Sequence, residues 1–479
     1  MLLRDSHRRR TNVVRTGAAV LLAGLVATIG AFGGHRTARA APRRAPRITR
    51  HVRELTPGLT LTRIRERGPE RVNVLTVDPA TAMTMDVAMP TGVLAGSQPV
   101  SEIAAAHGAM AAINGDFGVP PGRPIHAYAE DGDLRQTPLQ QGPVFAPSQD
   151  GTQVTIAPPT VAITATVAPA GTQFTVARLN TGRPQAGQIA GYSADGTGVS
   201  DPPTGGCAVR LIESGGPIWG AAGTGVQRQY TVQESVCGAT EPMPLDGGIV
   251  LWAQNHSVAG TTLQSLLPLT AVSLDWSLGW PHVLDAIGGM PILVQNGQLA
   301  PNLRTCWSAA FCGPNPRSAI GVTADGHILL ATVDGRRRKW SAGMTLLRWA
   351  QTMKRLGAAY ALNLDGGGST TMVVNGQVVN RPSDASGPRA LSSAILVLPG
   401  PDTGDPPMDG SVFPPIPPPP PAVTGPASAA AGWDRTIGDP GSTGGLLDYL
   451  ARGAMLGRSA PLSNSLTDLL QRFRATSGR

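Results

Sequence analysis

The residues best suited to chemistry lie in one string, Asn363-Leu364-Asp365-Gly366-Gly367-Gly368-Ser369-Thr370-Thr371. An apolar strand ends in a carboxylate and runs into three glycines. Consecutive glycines let backbone N–H groups approach an anion and accept positive φ. Ser369 and Thr370 add hydroxyl donors. The string is not a Walker-type nucleotide loop, because no Lys follows the glycines and no helix is expected after them. Arg317 and Arg389 are natural bidentate partners for a phosphate. Asp116 and Asp365 would supply acid and base if they faced one another. Plainer roles exist for the same residues: a glycine-rich turn with an Asx cap, interstrand ion pairs and turn-capping aspartates. His126 reads as a core or surface histidine.

These side chains need strands and turns to hold them. Residues 72–77 and 83–89 read as strands paired around Asp78-Pro79-Ala80. Residues 101–107 read as a short helix with Ser101 as its N-cap, leading into a strand that ends at Asn114-Gly115-Asp116. Residues 345–357 carry Leu346, Leu347, Ala350, Met353 and Leu356 on one helical face. Asn296-Gly297 and Asn375-Gly376 sit between apolar runs and predict type I′ hairpins. The stretch Gly108–Asp116 echoes Gly357–Asp365, and both hairpins are followed by an Arg and then Ser-Ala-Ile. The spacing predicts two related helix–strand–hairpin–strand units about a pseudo-twofold, bringing two Asn-x-Asp ends and two Arg to one cleft. The expected class is mixed α/β (α+β): a twisted, largely antiparallel sheet flanked by helices, with a β-rich insertion over 150–275.

The chain has 479 residues, with 60 Gly and 44 Pro and only 15% charged residues, which excludes a coiled coil or helical bundle. Residues 1–40 read as a signal peptide: basic start, apolar stretch, and Ala38-Arg39-Ala40 as a cleavage site. The +8 net charge is concentrated at this end, since residues 72–479 alone carry −4. Nucleic-acid binding is therefore not expected. Residues 41–71 read as a basic lead-in, 72–400 as the main domain, 401–444 as a Pro/Gly-rich linker and 445–479 as a helical tail. No apolar run beyond the N-terminus is long enough to span a bilayer. Export would make disulfides of Cys207, Cys237, Cys306 and Cys312. Three connectivities are possible, and proximity favours 207–237 with 306–312.

Taken in order, Ala112-Ile113-Asn114-Gly115-Asp116-Phe117, Asn315-Pro316-Arg317-Ser318-Ala319-Ile320-Gly321, the Asn363–Ser369 string, Pro382-Ser383-Asp384 and Pro388-Arg389 resemble the phosphodiester glycosidase family. The resemblance covers roughly 72–400 and is densest over 285–398. It implies hydrolysis of the sugar C1–O bond in a sugar-1-phosphodiester. It makes Asp365, and less securely Asp116, the catalytic carboxylates. Arg317 and Arg389 would bind phosphate. Gly366, Gly367, Gly368, Ser369 and Thr370 would hold leaving-group oxygens, and Asn114 and Asn363 sugar hydroxyls. The expected partner is a carbohydrate or glycan phosphodiester of the envelope or cell exterior. The same residues leave two alternatives open. One is a metal-dependent phosphodiesterase, with a divalent cation on Asp116, Asp365 and Asp334. The other is a non-catalytic glycan-binding protein.

Overall fold

The computed structural model describes residues 48–405, apart from 67, 82, 121, 150–153, 221–224, 246–247, 302, 304–307 and 403. The expected signal peptide, helical tail, nearly all of the linker and Cys306 lie outside the described residues. Among those described, no helix is long and apolar enough to cross a membrane.

The mixed α/β expectation is overturned. Strands make up 47% of the described residues and helices 11%, and seven strands close a barrel. The reason is visible in the strand patterns. In strand Glu70–Val77, Val72 and Val74 enter one apolar cluster while Leu75 and Val77 enter another. A strand apolar on both sides can bury one face against a second sheet.

An eight-stranded sheet and a five-stranded sheet share that second cluster, with Leu61, Leu75, Ile320 and Leu362 from the first and Val87, Ile113, Ile395 and Val397 from the other. Single helices cover the remaining faces. Helix α1 (Val100–Ala106) packs on the five-stranded sheet through Val100, Ile103 and Ala104. The helices α2 (Val258–Gln264) and α3 (Ala309–Cys312) are short. Helix α4 (Leu346–Arg355) buries Leu346, Trp349, Ala350 and Met353 on the eight-stranded sheet. Its Thr345 hydroxyl accepts from the Arg348 N–H at 3.3 Å, an N-cap, and Lys354 and Arg355 complement its C-terminal dipole.

Three local expectations change. The strand Met83–Ala88 does not pair with Glu70–Val77; it lies in the five-stranded sheet beside Ala394–Pro399. Helix α1 begins at Val100 after Pro99, without the Ser101 cap. Much of the basic lead-in is built into the eight-stranded sheet as strands Thr49–Thr56 and Leu59–Glu66.

The two hairpins turn at Asn296 (φ 51°) with Gly297 (φ 68°), and at Asn375 (φ 48°) with Gly376 (φ 71°), the left-handed pairs that a type I′ turn requires. The two units predicted from the echo do not form as written. Strand Ala111–Asn114 sits between the hairpin strand Met372–Val374 and strand Ala394–Pro399. Strand Ala358–Asn363 sits between Ile292–Gln295 and Arg317–Thr323. Each sheet thus takes its Asn-ended strand from one part of the chain and its hairpin from the other.

The barrel strands run between Ala162–Val167 and Ala271–Ser277, around Val209, Leu211, Val226, Leu251 and Val272. Cys207 and Cys237 face each other across two of its strands and form a disulfide. Cys312 is also disulfide-bonded.

Candidate active site

The crossed sheets set the two Asn-x-Asp ends against each other. The Asp365 N–H donates to the Gly115 carbonyl at 3.2 Å, and the Asn114 N–H to the Thr371 carbonyl at 3.1 Å. Asn114 is fully buried, and both ends of its amide are used. Its Oδ1 accepts from the Ser318 hydroxyl at 2.6 Å and the Thr371 N–H at 3.1 Å, and its Nδ2 donates to the Asp365 carbonyl at 2.8 Å. It ties three segments together.

Asp365 is half-buried at the mouth of this junction. One carboxylate oxygen accepts from the Gly366 N–H at 2.8 Å, and Ser369 supplies a hydroxyl hydrogen bond. Burial raises its pKa to about 6; Ser369, Gly366 and the Arg389 charge oppose the rise, and the Asp116 charge adds to it. A carboxylate in this state changes protonation near neutrality.

Asp116 is placed differently. Its oxygens accept from the N–H groups of Phe117 (2.7 Å), Ile125 (3.2 Å) and His126 (3.0 Å), and meet His126 Nδ1 at 2.7 Å. Those four partners occupy both oxygens and fold residues 117–126 around them. His126 is a core residue, with Gly142 and Gly288 against its ring. A Cβ on Gly142 would stand 2.4 Å from Nε2, and a Cβ on Gly288 2.2 Å from the His126 Cβ.

The glycine string behaves differently from a plain amide cradle. The Gly366 N–H goes to Asp365, and the Gly367 N–H to the Pro316 carbonyl at 3.0 Å. Neither of these two N–H groups is left to hold an anion. What the glycines supply is the absence of Cβ atoms. A Cβ on Gly366 would lie 2.9 Å from the Pro316 carbonyl, on Gly367 2.9 Å from Arg336 Nη2, and on Gly368 2.2 Å from Arg389 Nη2. Gly367 also has φ +61°, which glycine adopts without strain.

Two guanidinium groups therefore rest against this loop. Arg389 holds Asp384 Oδ2 from Nε (3.1 Å) and Nη2 (2.8 Å), and its Nη1 reaches the Ser369 hydroxyl at 3.4 Å. Arg336 is exposed and is steadied by the Asn315 Oδ1 at 3.1–3.2 Å. Sequence reading had not singled out Arg336. It lies in a basic run that looks like a solvated turn. Only the pairing of Ile328–Val333 with Arg317–Thr323 carries it to the motif.

Arg317 is buried and largely committed, donating to the carbonyls of Met344 (3.0 Å), Phe311 (2.5 Å) and Gly313 (2.8 Å). Burial, aided by the Arg336 charge, lowers its pKa to about 9. Asn363 donates to the carbonyls of Met290 and Leu364 at 2.7 and 2.9 Å, while its buried Oδ1 has no partner. The Thr370 hydroxyl is also buried without one. A cleft is lined by Phe117, Phe311, Arg317, Arg336, Asn363 and Asp365 with the first two glycines. The Phe117 and Phe311 rings stand 6.1 Å apart and give it one apolar wall. A larger cavity lies inside the barrel and contains none of the motif residues.

Asp334, weighed as a cation ligand, is used otherwise. It accepts from Trp340 Nε1 at 2.7 Å and the Arg381 N–H at 2.9 Å, anchoring the segment before Asp384. Asp116, Asp334 and Asp365 do not gather into a carboxylate cluster among the described residues.

Residues 225–398 match the phosphodiester glycosidase family model. The resemblance read from the motifs holds. The N-acetylglucosamine-1-phosphodiester alpha-N-acetylglucosaminidase of Mus musculus is 33% identical over 87 residues, 17% of this chain and 16% of that one. The matched stretch spans 14–16% of the length of such curated relatives. Two solved structures share the fold. A Synechocystis protein superposes with TM-score 0.57 at 24% identity, over 74% of this chain and 64% of its own. A Burkholderia pseudomallei protein does so with TM-score 0.51 at 26% identity, over 69% and 74%. The segment that matches the family model holds Arg317, Arg336, Asp365 and Arg389.

Proposed function

We propose that the protein hydrolyses the sugar C1–O bond of a sugar-1-phosphodiester, releasing free sugar and a phosphomonoester. The observation that carries this reading is the pair of guanidinium groups, Arg336 and Arg389, laid against a Cβ-free loop that begins at a carboxyl group of pKa about 6. The cations would hold a phosphodiester and stabilise the charge that builds on it as the C1–O bond breaks. A phosphate needs little help to leave, so protonating it matters less than for an alkoxide. Asp365 would then act ionised, facing the positive charge that develops at C1 or activating the attacking water. The Phe117–Phe311 wall suits the apolar face of a sugar ring, and the unpartnered Asn363 Oδ1 suits a sugar hydroxyl. Asp116 would position Asp365 through the 117–126 loop and its charge. Asn114 would hold the loop's backbone rather than the substrate. The barrel disulfide and the reading of residues 1–40 support action outside the cytoplasm, on envelope or extracellular glycans.

The test is hydrolysis of a panel of sugar-1-phosphodiesters in heavy-oxygen water, with wild type and Asp365→Asn. Label in the free sugar, lost in the variant, is expected. Label in the phosphate would replace this reading with a phosphodiesterase. Sugar-1-phosphodiester binding that survives the substitution, without turnover of any panel member, would replace it with a binding protein.

A further inference from the structure

A second group of acidic side chains lies apart from the cleft, and none of its members lines that cleft. Asp86, Asp285 and Asp402 each bring a carboxylate oxygen within 4.8 Å of the others, and so do Asp131, Asp402 and Asp405. The two triads share Asp402. Glu130 adds a sixth carboxylate within Coulomb reach of Asp86. These residues come from four separate places: strand Met83–Ala88, the turn after Tyr128–Glu130, the approach to Ile287–Gly288, and the segment after Ala394–Pro399. The chain is shaped to bring them together. Gly404 packs so closely on Asp131 that a Cβ there would stand 2.3 Å from Oδ1, and the Thr84 hydroxyl holds the Gly400 carbonyl at 2.6 Å.

Among the described residues, protein cations do not balance this charge. The Arg135 charge acts on Glu130 and Asp131, but that guanidinium is shared with Asp195 at 3.3 Å and Asp133 at 3.7 Å. His107 stands 4.0 Å from Asp86, beyond hydrogen-bond distance. Asp86 is 3% exposed, and its Oδ1 has no hydrogen-bond partner. Buried oxygens of Asp402 (Oδ2) and Asp405 (Oδ1) are likewise unpartnered. A buried carboxylate oxygen left without a donor is costly, and several together repel one another.

We propose that the two triads, Asp86 with Asp285 and Asp402, and Asp131 with Asp402 and Asp405, form a calcium site centred on their shared Asp402, and that the bound ion fastens the segment after strand Ala394–Pro399 to the body of the domain. An all-oxygen set rich in carboxylates fits calcium, which takes 6–8 oxygens in irregular geometry. Magnesium commonly keeps its waters and takes one or two carboxylates. The ion neutralises the cluster and uses the orphaned oxygens.

The experiment is a calcium titration of the full chain after removal of metal with EGTA, read by calorimetry and by thermal unfolding. A saturable binding heat and a rise in Tm of several degrees are expected with CaCl2, with a smaller rise at equal MgCl2. Asp86→Asn and Asp405→Asn should each lose most of the rise; Asp405 is half-buried, so that variant serves if Asp86→Asn does not fold. No heat and no Tm change in wild type up to about 10 mM calcium, beyond the weakest sites of this kind, would overturn the proposal. So would a rise undiminished in the variants. An equal rise with magnesium would overturn the assignment to calcium.

Discussion

Replacing Gly368 by Ala tests the phosphate-binding role of Arg389 without touching Arg389. Gly368 does not have a left-handed φ, so alanine fits its backbone. The added Cβ would lie 2.2 Å from Arg389 Nη2 and 2.4–2.5 Å from the Asp384 oxygens, whereas ordinary contact begins at 3.4 Å. Arg389 must therefore withdraw by about 1.2 Å, the difference between those two distances. Both neighbours are the ends of half-exposed, flexible side chains, so the fold gives way easily. An exposed ion pair is worth about 0.2–1 kcal/mol. Gly→Ala at a compatible site returns about 0.4–1 kcal/mol by restricting the unfolded chain. Net stability should stay within about 1 kcal/mol of wild type. Catalysis has no such tolerance, since a misplacement of about 1 Å can cost on the order of 100-fold. The expected result is a fall of about 100-fold in kcat/KM for a sugar-1-phosphodiester, with Tm shifted by no more than a few degrees. Arg389→Lys should not restore a planar bidentate contact and should be similarly impaired. Full activity in Gly368→Ala at wild-type stability would refute the placement of the phosphate at Arg389.

Burial raises Asp365 to about 6, above its unfolded value, so its ionisation destabilises the fold as pH rises from about 4 to 6. Asp365→Asn should thus match wild type in stability near pH 4 and exceed it above pH 6, by up to about 3 kcal/mol; a pH-independent difference in urea unfolding would contradict the cause. If Asp365 acts ionised, kcat/KM should fall as pH drops through about 6, and a rise there would make it a general acid. Asn114→Ala removes three buried hydrogen bonds and should cost about 2–4 kcal/mol, seen as a lower denaturation midpoint; a stable variant impaired only in KM would restore a substrate-contact role. Replacing Cys207 and Cys237 by Ala should cost about 2–4 kcal/mol for a sequence separation of 30, and unchanged urea unfolding would exclude a stabilising role.

Local signals were readable in the sequence, and pairing between distant segments was not. The Asn-Gly turns are set by two residues' φ values, so their hairpins could be placed by inspection. Strand Met83–Ala88 lies next to Glu70–Val77 in the chain and has an apolar face, yet it joins the other sheet. Nothing in its six residues distinguishes a neighbour from a partner at Ala394–Pro399. The fold class was misjudged for the same reason. Residues such as Leu75 and Val77 show that a second face is buried, but not whether a helix or a sheet covers it. Asp116 illustrates the limit at the level of one side chain. An aspartate at a strand end suggests both a catalytic group and a cap, and only the folded chain shows the N–H groups of residues 117, 125 and 126 that it caps.

The glycine string shows how a motif can be recognised before its physics is understood. Gly366-Gly367-Gly368 suggested an anion held by three N–H groups. Two of those groups serve Asp365 and Pro316. In the proposed site the anion is held instead by side chains that only glycine lets come so close. Such a site can be switched off by a methyl group, whereas an N–H cradle with suitable φ would tolerate one. Arg336 and Arg389 reach the loop from separate elements, one from the turn after Ile328–Val333 and one from the approach to Ala394–Pro399. Their positions relative to Asp365 are therefore set by two sheets at once. Gly367→Ala should show this from the other side. It adds the strain of φ +61° and a contact of 2.9 Å with Arg336 Nη2, so stability should fall by about 1 kcal/mol while activity falls further. Equal, proportionate losses in thermal unfolding and turnover would mean that Arg336 is a bystander and that the loop's conformation alone matters.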